Sequence, residues 1–414
     1  MRGLDADVLI VGGGLAAQRC CETLRRLGFD GRIALLCEEP CAPYDRPPLS
    51  KAFITSDEAL PQPTFKPRSW YVENEVELLL GLSARELDVA DRRVVVGGPS
   101  SRALRYRRLV IATGSRPRRL EGMPLGRKVH ELRTHADALA LRTALREGSE
   151  RLAILGAGLI GMEVASSARA LGLEVTMIEA GTTPLGRALP SELGHWLACL
   201  HRRQGVDVRL ASYVRALGRR GEVATLDLSD GSTVRADTVL IAAGSIPATE
   251  WLAGSGLGSG PIHTDAGGDT GVPNIYAAGD AACFPDPYSG ERLPTPHWEA
   301  AARQGVAVAH SIVGMEPRPV APAMFWSDQH DRRIQFVGHA PTGCEIELDH
   351  CRGERSETAR TEIRLDQVAN ARFAAWIRHD GQPVAAMLVN RPELLGRARR
   401  WIADGSVNTT RRAA

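Results

Sequence analysis

Two glycine fingerprints, 144 residues apart, mark where this chain could hold phosphate groups. Gly12-x-Gly14-x-x-Ala17 follows the apolar run Val8–Val11, and Gly156-x-Gly158-x-x-Gly161 follows Leu152–Leu155. In this spacing the first glycine permits a tight strand-to-helix turn. The second lets the backbone approach a pyrophosphate, and the third packs helix on strand. The phosphates then face unpaired N–H groups at the helix start. Ala17 is a tolerated variant of the third position. Each copy is followed by an acid at a strand end: Glu38 lies 24 residues after Gly14, and Glu179 lies 21 after Gly158. One such unit holds one dinucleotide, so two predict a chain that brings two dinucleotides together for hydride transfer, a held flavin and a visiting nicotinamide. A carboxylate at Glu179 accepts hydrogen bonds from a ribose 2′-hydroxyl and repels a 2′-phosphate. Ala180, Gly181 and Thr182 follow it, with no arginine, which predicts NADH over NADPH.

The elements that position these residues repeat. Residues 7–36 read strand, glycine turn, helix and strand, with the helix from about Ala16 to Leu27 stopping at Gly28. Residues 151–179 repeat the plan, with the helix ending at Gly172. Leu109–Gly114 and Val239–Gly244 are near-replicas, each a buried strand ending in glycine, and Ile275–Ala278 runs into Gly279-Asp280. We expect an α/β fold of two Rossmann-like, three-layer dinucleotide-binding domains, one inserted in the other, plus a C-terminal α+β domain. The expected divisions are 1–118 with 238–319, then 119–237, then 320–414. Pro317, Pro319 and Pro322 mark the last connector. Beyond it, 334–337, 371–378 and 384–389 read as strands and 393–402 as an amphipathic helix, with the tail after Gly405 frayed.

Composition excludes several classes. A chain of 414 residues with 43% apolar and 24% charged residues is ordinary for a globular protein with two or three domains. The net charge of +2 gives no argument for nucleic acid or a membrane surface. No apolar run approaches the roughly 20 residues of a spanning helix, and no signal-peptide pattern precedes the first strand, so the cytoplasm is expected. Eight cysteines without regular spacing give no disulfide framework, and no His/Cys/Asp cluster has metal-ligand spacing. Cys37 and Cys41 are spaced C-x3-C rather than the C-x4-C of redox-active dithiols in flavin disulfide reductases, so no dithiol mechanism is expected.

Longer motifs make a resemblance specific. Tyr44-Asp45-Arg46-Pro47-Pro48-Leu49-Ser50-Lys51, Ile160–Ala165, Ala277–Asp280, Phe325-Trp326-Ser327-Asp328-Gln329 and Val389–Pro392 are spread along nearly the whole chain. They resemble the FAD-dependent ferredoxin reductases that serve bacterial cytochromes P450 and ring-hydroxylating dioxygenases. The resemblance implies that Gly12, Gly14, Ala16 and Ala17 hold the FAD pyrophosphate and that Glu38 holds its ribose. Ala84 would make an adenine-side backbone contact. Arg46, Arg133, Gly244, Gly279, Asp280 and Trp298 would also contact FAD, with Asp280 on the ribityl chain and Trp298 near the flavin. Lys51 would stand beside the flavin ring, where a cation favours negative charge. Glu163 would face the nicotinamide, Trp326 would cover the flavin edge, and Gly156, Gly158, Gly161 and Glu179 would hold NADH. Taken alone, Lys51 also reads as a surface lysine, Trp326 as a core aromatic and Arg133 as a solvated strand-end residue.

The resemblance implies two steps, a hydride from NADH to FAD and then single electrons to an iron–sulfur ferredoxin, as monomer or homodimer. An NADH oxidase or small-molecule reductase stays open, as does an NADH-responsive flavoprotein with a binding role. Ferredoxins are generally acidic, so Arg303, Arg332 and Arg333 are candidates for a steering rim. One position departs from the family pattern: Pro296-His297-Trp298 stands where Glu-His-Trp is usual. Proline offers no carboxylate and restricts Thr295 to extended backbone. Pro296→Glu should change the Michaelis constant for NADH, and an unchanged value in steady-state kinetics places the position outside the nicotinamide pocket.

Overall fold

A computed structural model describes residues 4–412 except 59, 98–101, 221–222, 289, 293, 318–320 and 351–371. The chain forms two compact units. The first comprises Met1–Asp45, Gln62–Arg116 and Ile246–Ala323, the second Arg46–Pro61, Pro117–Ser245 and Met324–Ala414.

The first unit is built on a sheet in which Val76–Leu80, Ile33–Cys37, Leu4–Val11, Arg102–Ile111 and Ile275–Ala277 run parallel in that order. Ser83–Asp88 and Arg93–Gly97 extend it through the other half of the long strand 102–111, as an antiparallel meander. The central strand is buried on both faces, which explains its unbroken apolar run. Val8 and Ile10 pack on one side against Ala17, Cys20, Cys21 and Leu24 of the helix Leu15–Arg26 and Val308 and Ile312 of the helix Trp298–Ile312. Leu9 and Val11 pack on the other against Val94, Val96, Leu104 and Leu252. The two helices touch closely, since a Cβ at Gly305 would collide with the Ala16 carbonyl.

Within the second unit the plan recurs. Val206–Arg209, Glu174–Ile178, Arg151–Leu155, Thr238–Ile241 and Val129–His130 form a five-stranded parallel sheet. Ala153 and Leu155 pack on Leu226, Val234 and Ala236, which belong to the antiparallel meander Val214–Arg220, Val223–Leu228 and Thr233–Ala236. The first glycine of each fingerprint sits in the same constraint. Gly12 has φ +127° and Gly156 φ +114°, and a Cβ there would strike the carbonyl of Ala112 or Ala242 respectively. These carbonyls belong to the near-replica segments, so each replica serves as the wall of its own turn.

The C-terminal sheet runs Met324–Gln329, Arg332–Gly338, Gln382–Val389, Phe373–His379, Glu345–His350, all antiparallel. Val337, Ala374, Ala386 and Leu388 face Ala398 and Ile402 of the helix Leu395–Arg412. On the opposite face Phe373 meets Trp196 of the helix Ser191–Arg203 edge-on at 5.1 Å. This contact helps to make residues 324–414 compact with residues 117–245, where a free-standing domain was expected.

Three other expectations move. The return to the first unit, expected at 238, falls at Ile246, because Thr238–Ile241 pairs with Arg151–Leu155 in the second sheet. Residues 46–61, expected in the first unit, belong to the second. The last helix continues past Gly405 to Arg412. Residues 318–320 of the proline connector and Ala371 at the start of an expected strand lie outside the described residues. Where the first unit resumes, Ala248 N–H donates to the Gly114 carbonyl at 2.9 Å and Thr113 Oγ1 donates to the Ala248 carbonyl at 2.7 Å.

Gly156→Ala should lower stability by about 2–4 kcal/mol, from positive-φ strain plus the clash with a carbonyl. Gly172→Ala, at a position with open space around it, should cost only the strain. Chemical denaturation of the two variants separates the contributions.

Candidate functional site

The residues expected to bind dinucleotides gather around the two fingerprints. In the first unit Gly14 caps the helix 15–26 without any side-chain hydrogen bond, and a Cβ there would meet nothing within 4 Å. Gly158 stands in the same relation to the helix Leu159–Ala170. Open space therefore faces the first-turn N–H groups of both helices, and the positive end of the helix dipole points into it. A pyrophosphate fits such a cradle. The third positions differ: a Cβ at Gly161 would strike the Gly156 carbonyl, whereas Ala17 is accommodated and fully buried.

Gly279 joins the first cradle, its Cβ position lying 3.2 Å from the Ala16 methyl, and its N–H donates to Gln304 Oε1 at 2.8 Å. The next residue, Asp280, accepts from Ser115 Oγ at 2.7 Å. Glu38 is exposed at the end of its strand and accepts from Ser83 Oγ at 3.1 Å, which places it beside the strand that carries Ala84. Trp298 Nε1 donates to Asp45 Oδ1 at 2.7 Å. Pro296 is exposed.

In the second unit, Glu179 accepts Ala157 N–H on Oε2 and Gly181 N–H on Oε1, both at 2.7 Å. The carboxylate thus braces the glycine loop while each oxygen keeps a lone pair for another donor. Gly244, at φ +93°, accepts Arg118 N–H at 2.9 Å. Arg46 donates to the Arg133 carbonyl at 2.5 Å. Asp137 and Thr134 form a capping box that fixes the turn at Arg133.

The segment 46–61 is held by arginine. Arg142 donates to the carbonyls of Phe53 at 3.0 Å and Ser56 at 2.6 Å, and Arg146 to those of Thr55 at 2.8 Å and Ser56 at 2.7 Å. At the other end, Ser167 Oγ donates to the Ser50 carbonyl at 2.8 Å. This fastening brings Lys51 to Glu163, with Nζ 2.9 Å from Oε1. Glu163 is 6% exposed and also accepts Ser50 Oγ at 2.5 Å and Ser327 Oγ at 2.7 Å. A carboxylate this deep is tolerated because a cation and two hydroxyls compensate it. Lys51 is thus a paired lysine rather than a free surface one.

The strand Met324–Gln329 sorts the Phe-Trp-Ser-Asp-Gln motif by alternation. Phe325, Ser327 and Gln329 are buried on one face, while Trp326 and Asp328 are half-buried on the other. Ser327 and Gln329 belong to a motif singled out in the sequence but received no role there, and His201 was not singled out at all. Gln329 donates to Ser327 Oγ at 3.0 Å, and its Oε1 lies 3.0 Å from His201 Nε2. The period-two placement of Ser327 and Gln329 with Phe325 was the available signal. His201 had none. The arginines considered for a steering rim are partly engaged within the chain: Arg303 by Glu299 and the Ala321 carbonyl, and Arg332 by Asp331.

Burial pushes the thiols of Cys20 and Cys37 up to about 12, so both are protonated at neutral pH. The described cysteines are free.

Two three-layer nucleotide-binding folds with glycine cradles, plus a C-terminal antiparallel sheet, define a flavin- and nicotinamide-dependent oxidoreductase. The family model for pyridine nucleotide-disulphide oxidoreductases matches residues 6–305, and that for the reductase C-terminal domain matches 324–414. The ferredoxin–NAD(+) reductase component of a p-cumate 2,3-dioxygenase system from Pseudomonas putida is 36% identical over 97% of this chain and 94% of its own. The corresponding component of an anthranilate 1,2-dioxygenase system from Burkholderia cepacia is 33% identical over 98% and 96%. The solved covalent complex of putidaredoxin reductase with putidaredoxin superposes with a TM-score of 0.88 at 28% identity, over 97% of this chain and 94% of that one. The chain belongs to the pyridine nucleotide-disulphide oxidoreductase family and, within it, to the ferredoxin–NAD(+) reductases.

His201 is 0% exposed. Burial pushes its pKa down to about 4, against an opposing hydrogen bond with Gln329, and His330 lowers it further. The neutral ring's contribution to stability is therefore full above about 6.5 and lost as pH falls through about 4. The difference corresponds to about 3 kcal/mol. His201→Gln should flatten the loss of stability between pH 7 and pH 4 by about that amount, followed by chemical denaturation at each pH. A slope equal to that of the parent protein contradicts a neutral, buried His201.

Proposed function

We propose that this chain is the FAD-containing, NADH-dependent reductase of an oxygenase system. It delivers electrons to an iron–sulfur ferredoxin that supplies a ring-hydroxylating dioxygenase or a cytochrome P450. What carries the reading is the pair of open, glycine-walled cradles in a chain matched nearly end to end by ferredoxin–NAD(+) reductases. When bound, FAD takes two electrons as a hydride from NADH and gives them up singly.

The chain's residues bind, orient and exclude. We assign FAD to the first fingerprint, in the unit formed by residues 1–45, 62–116 and 246–323. Backbone N–H groups from Gly14 to Ala17 would hold the pyrophosphate, Glu38 the ribose, and Asp280, held by Ser115 Oγ, the ribityl chain. NADH is assigned to 119–237. Gly156, Gly158 and Gly161 form that cradle, and Glu179 selects the unphosphorylated ribose while bracing the loop. Lys51 and Glu163 are the catalytic pair we assign to hydride transfer, joined by Trp326. Residues 324–414 form the reductase C-terminal part. Burial raises the Cys20 and Cys37 thiol pKa values, which disfavours either as a thiolate nucleophile in dithiol exchange.

Free thiols and a ferredoxin partner suit the cytoplasm, which we propose as the location. Among the described residues no helix is long and apolar enough to cross a membrane.

Purified protein should show flavin absorption bands that bleach on anaerobic addition of NADH and return when oxidised ferredoxin is added. Colourless protein would falsify the flavin assignment. Bleaching without electron transfer to any of a panel of ferredoxins redirects the reading to a small-molecule acceptor.

A further inference from the structure

Beyond the Lys51–Glu163 pair, a line of hydrogen bonds leaves the buried carboxylate and reaches the surface of the second unit. Ser327 Oγ donates to Glu163 Oε1 at 2.7 Å, and Gln329 Nε2 donates to Ser327 Oγ at 3.0 Å. Gln329 Oε1 meets His201 Nε2 at 3.0 Å, and His201 Nδ1 meets His330 Nε2 at 3.3 Å. Ser327 and His201 are 0% exposed, Gln329 is 1% exposed, and His330 is half-buried.

The line has only one consistent direction. An ionised carboxylate accepts and cannot donate, so the Ser327 hydroxyl must point at Glu163. Its lone pairs then take the Gln329 amide N–H, which turns the amide oxygen toward His201. That oxygen requires a hydrogen on His201 Nε2, leaving Nδ1 bare to accept from His330. The charge on Glu163 therefore dictates the tautomer of a histidine three links away. His330 is itself held at φ +54°, with its backbone N–H donating to Ser166 Oγ, on the helix that carries Glu163. The amide of Gln329 makes the line a poor proton conductor, since an amide relays a proton only by changing tautomer. Its role is orientation.

We propose that Ser327, Gln329, His201 and His330 are positioning residues that hold the Glu163 carboxylate, and with it Lys51, in the geometry used for hydride transfer. This rests on the assignment of Glu163 to the nicotinamide side of the reaction. Aligned dipoles in such a chain polarise one another, so the line acts as a unit rather than as separate contacts.

Two measurements test it on full-length, flavin-loaded protein. In 15N-histidine-labelled protein, the ring shifts of His201 should report the Nε2–H tautomer, and Glu163→Gln should convert this to a mixture of tautomers. In anaerobic rapid mixing, His201→Leu and Gln329→Met should slow flavin bleaching at saturating NADH about tenfold, within the hundredfold that a 1 Å misplacement can cause. The dissociation constant for NADH should stay within about twofold of the parent value. His201→Gln keeps an N–H near the Nε2 position and should restore most of the rate. A His201 tautomer indifferent to Glu163→Gln overturns the proposal. So does wild-type bleaching by folded, flavin-loaded His201→Leu and Gln329→Met. A tautomer that responds while Glu163→Gln bleaches at the parent rate keeps the hydrogen-bond line but overturns the placement of Glu163 in hydride transfer.

Discussion

The buried carboxylate of Glu163 is the constraint around which the second unit is organised. An isolated anion at that depth is untenable, so the fold must bring donors to it. They come from two stretches of chain remote from Glu163 in sequence: Ser50 and Lys51 from the segment 46–61, and Ser327 from the C-terminal sheet. Loss of any one donor leaves an incompletely compensated charge, which costs more than a surface ion pair contributes. Arg142 and Arg146 secure the most irregular of these stretches by capturing its carbonyl oxygens. The same device thus connects tertiary structure to chemistry, since Lys51, which helps to make the anion tolerable, is also assigned to the reaction.

The two dinucleotide units solve one steric problem twice. A strand must turn into a helix beneath the carbonyl of a neighbouring strand, and only a residue without Cβ fits. They diverge in how the acid after the second strand is used. Glu179 is drawn into its own glycine loop by two backbone N–H groups, whereas Glu38 stays exposed, with a serine from the adjoining strand. The bracing holds the second glycine loop in shape through its own acid.

The duplicated strand–turn–helix units were legible in the sequence because their determinants are local: glycines at fixed spacing, apolar runs before them and acids after them. The longer motifs located Lys51, Glu163 and Trp326 for the same reason. Less local features escaped. Residues 46–61 join the second unit through arginine contacts to backbone carbonyls, which leave no pattern in the segment's own side chains. Thr238–Ile241 and its replica in the strand 102–111 look alike in one dimension, and only pairing assigns the former to the second sheet. His201 is one of two histidines on the amphipathic helix Ser191–Arg203, and nothing local distinguishes it from His195. Its partners Gln329 and His330 lie more than a hundred positions away, so three-dimensional contact alone reveals its role.

Where Ala248 meets Thr113 and Gly114, the two edges of the long insertion in the first unit are stitched to each other. The ends of the interruption are therefore neighbours, and the first unit has its own closure at that point. In topological terms the second nucleotide-binding segment occupies the place of a surface loop, whose entropic cost rises only slowly with length. Such an arrangement lets the inserted segment diverge while the host sheet keeps its register, as long as the bonds from Glu163 to Ser50, Lys51 and Ser327 are kept.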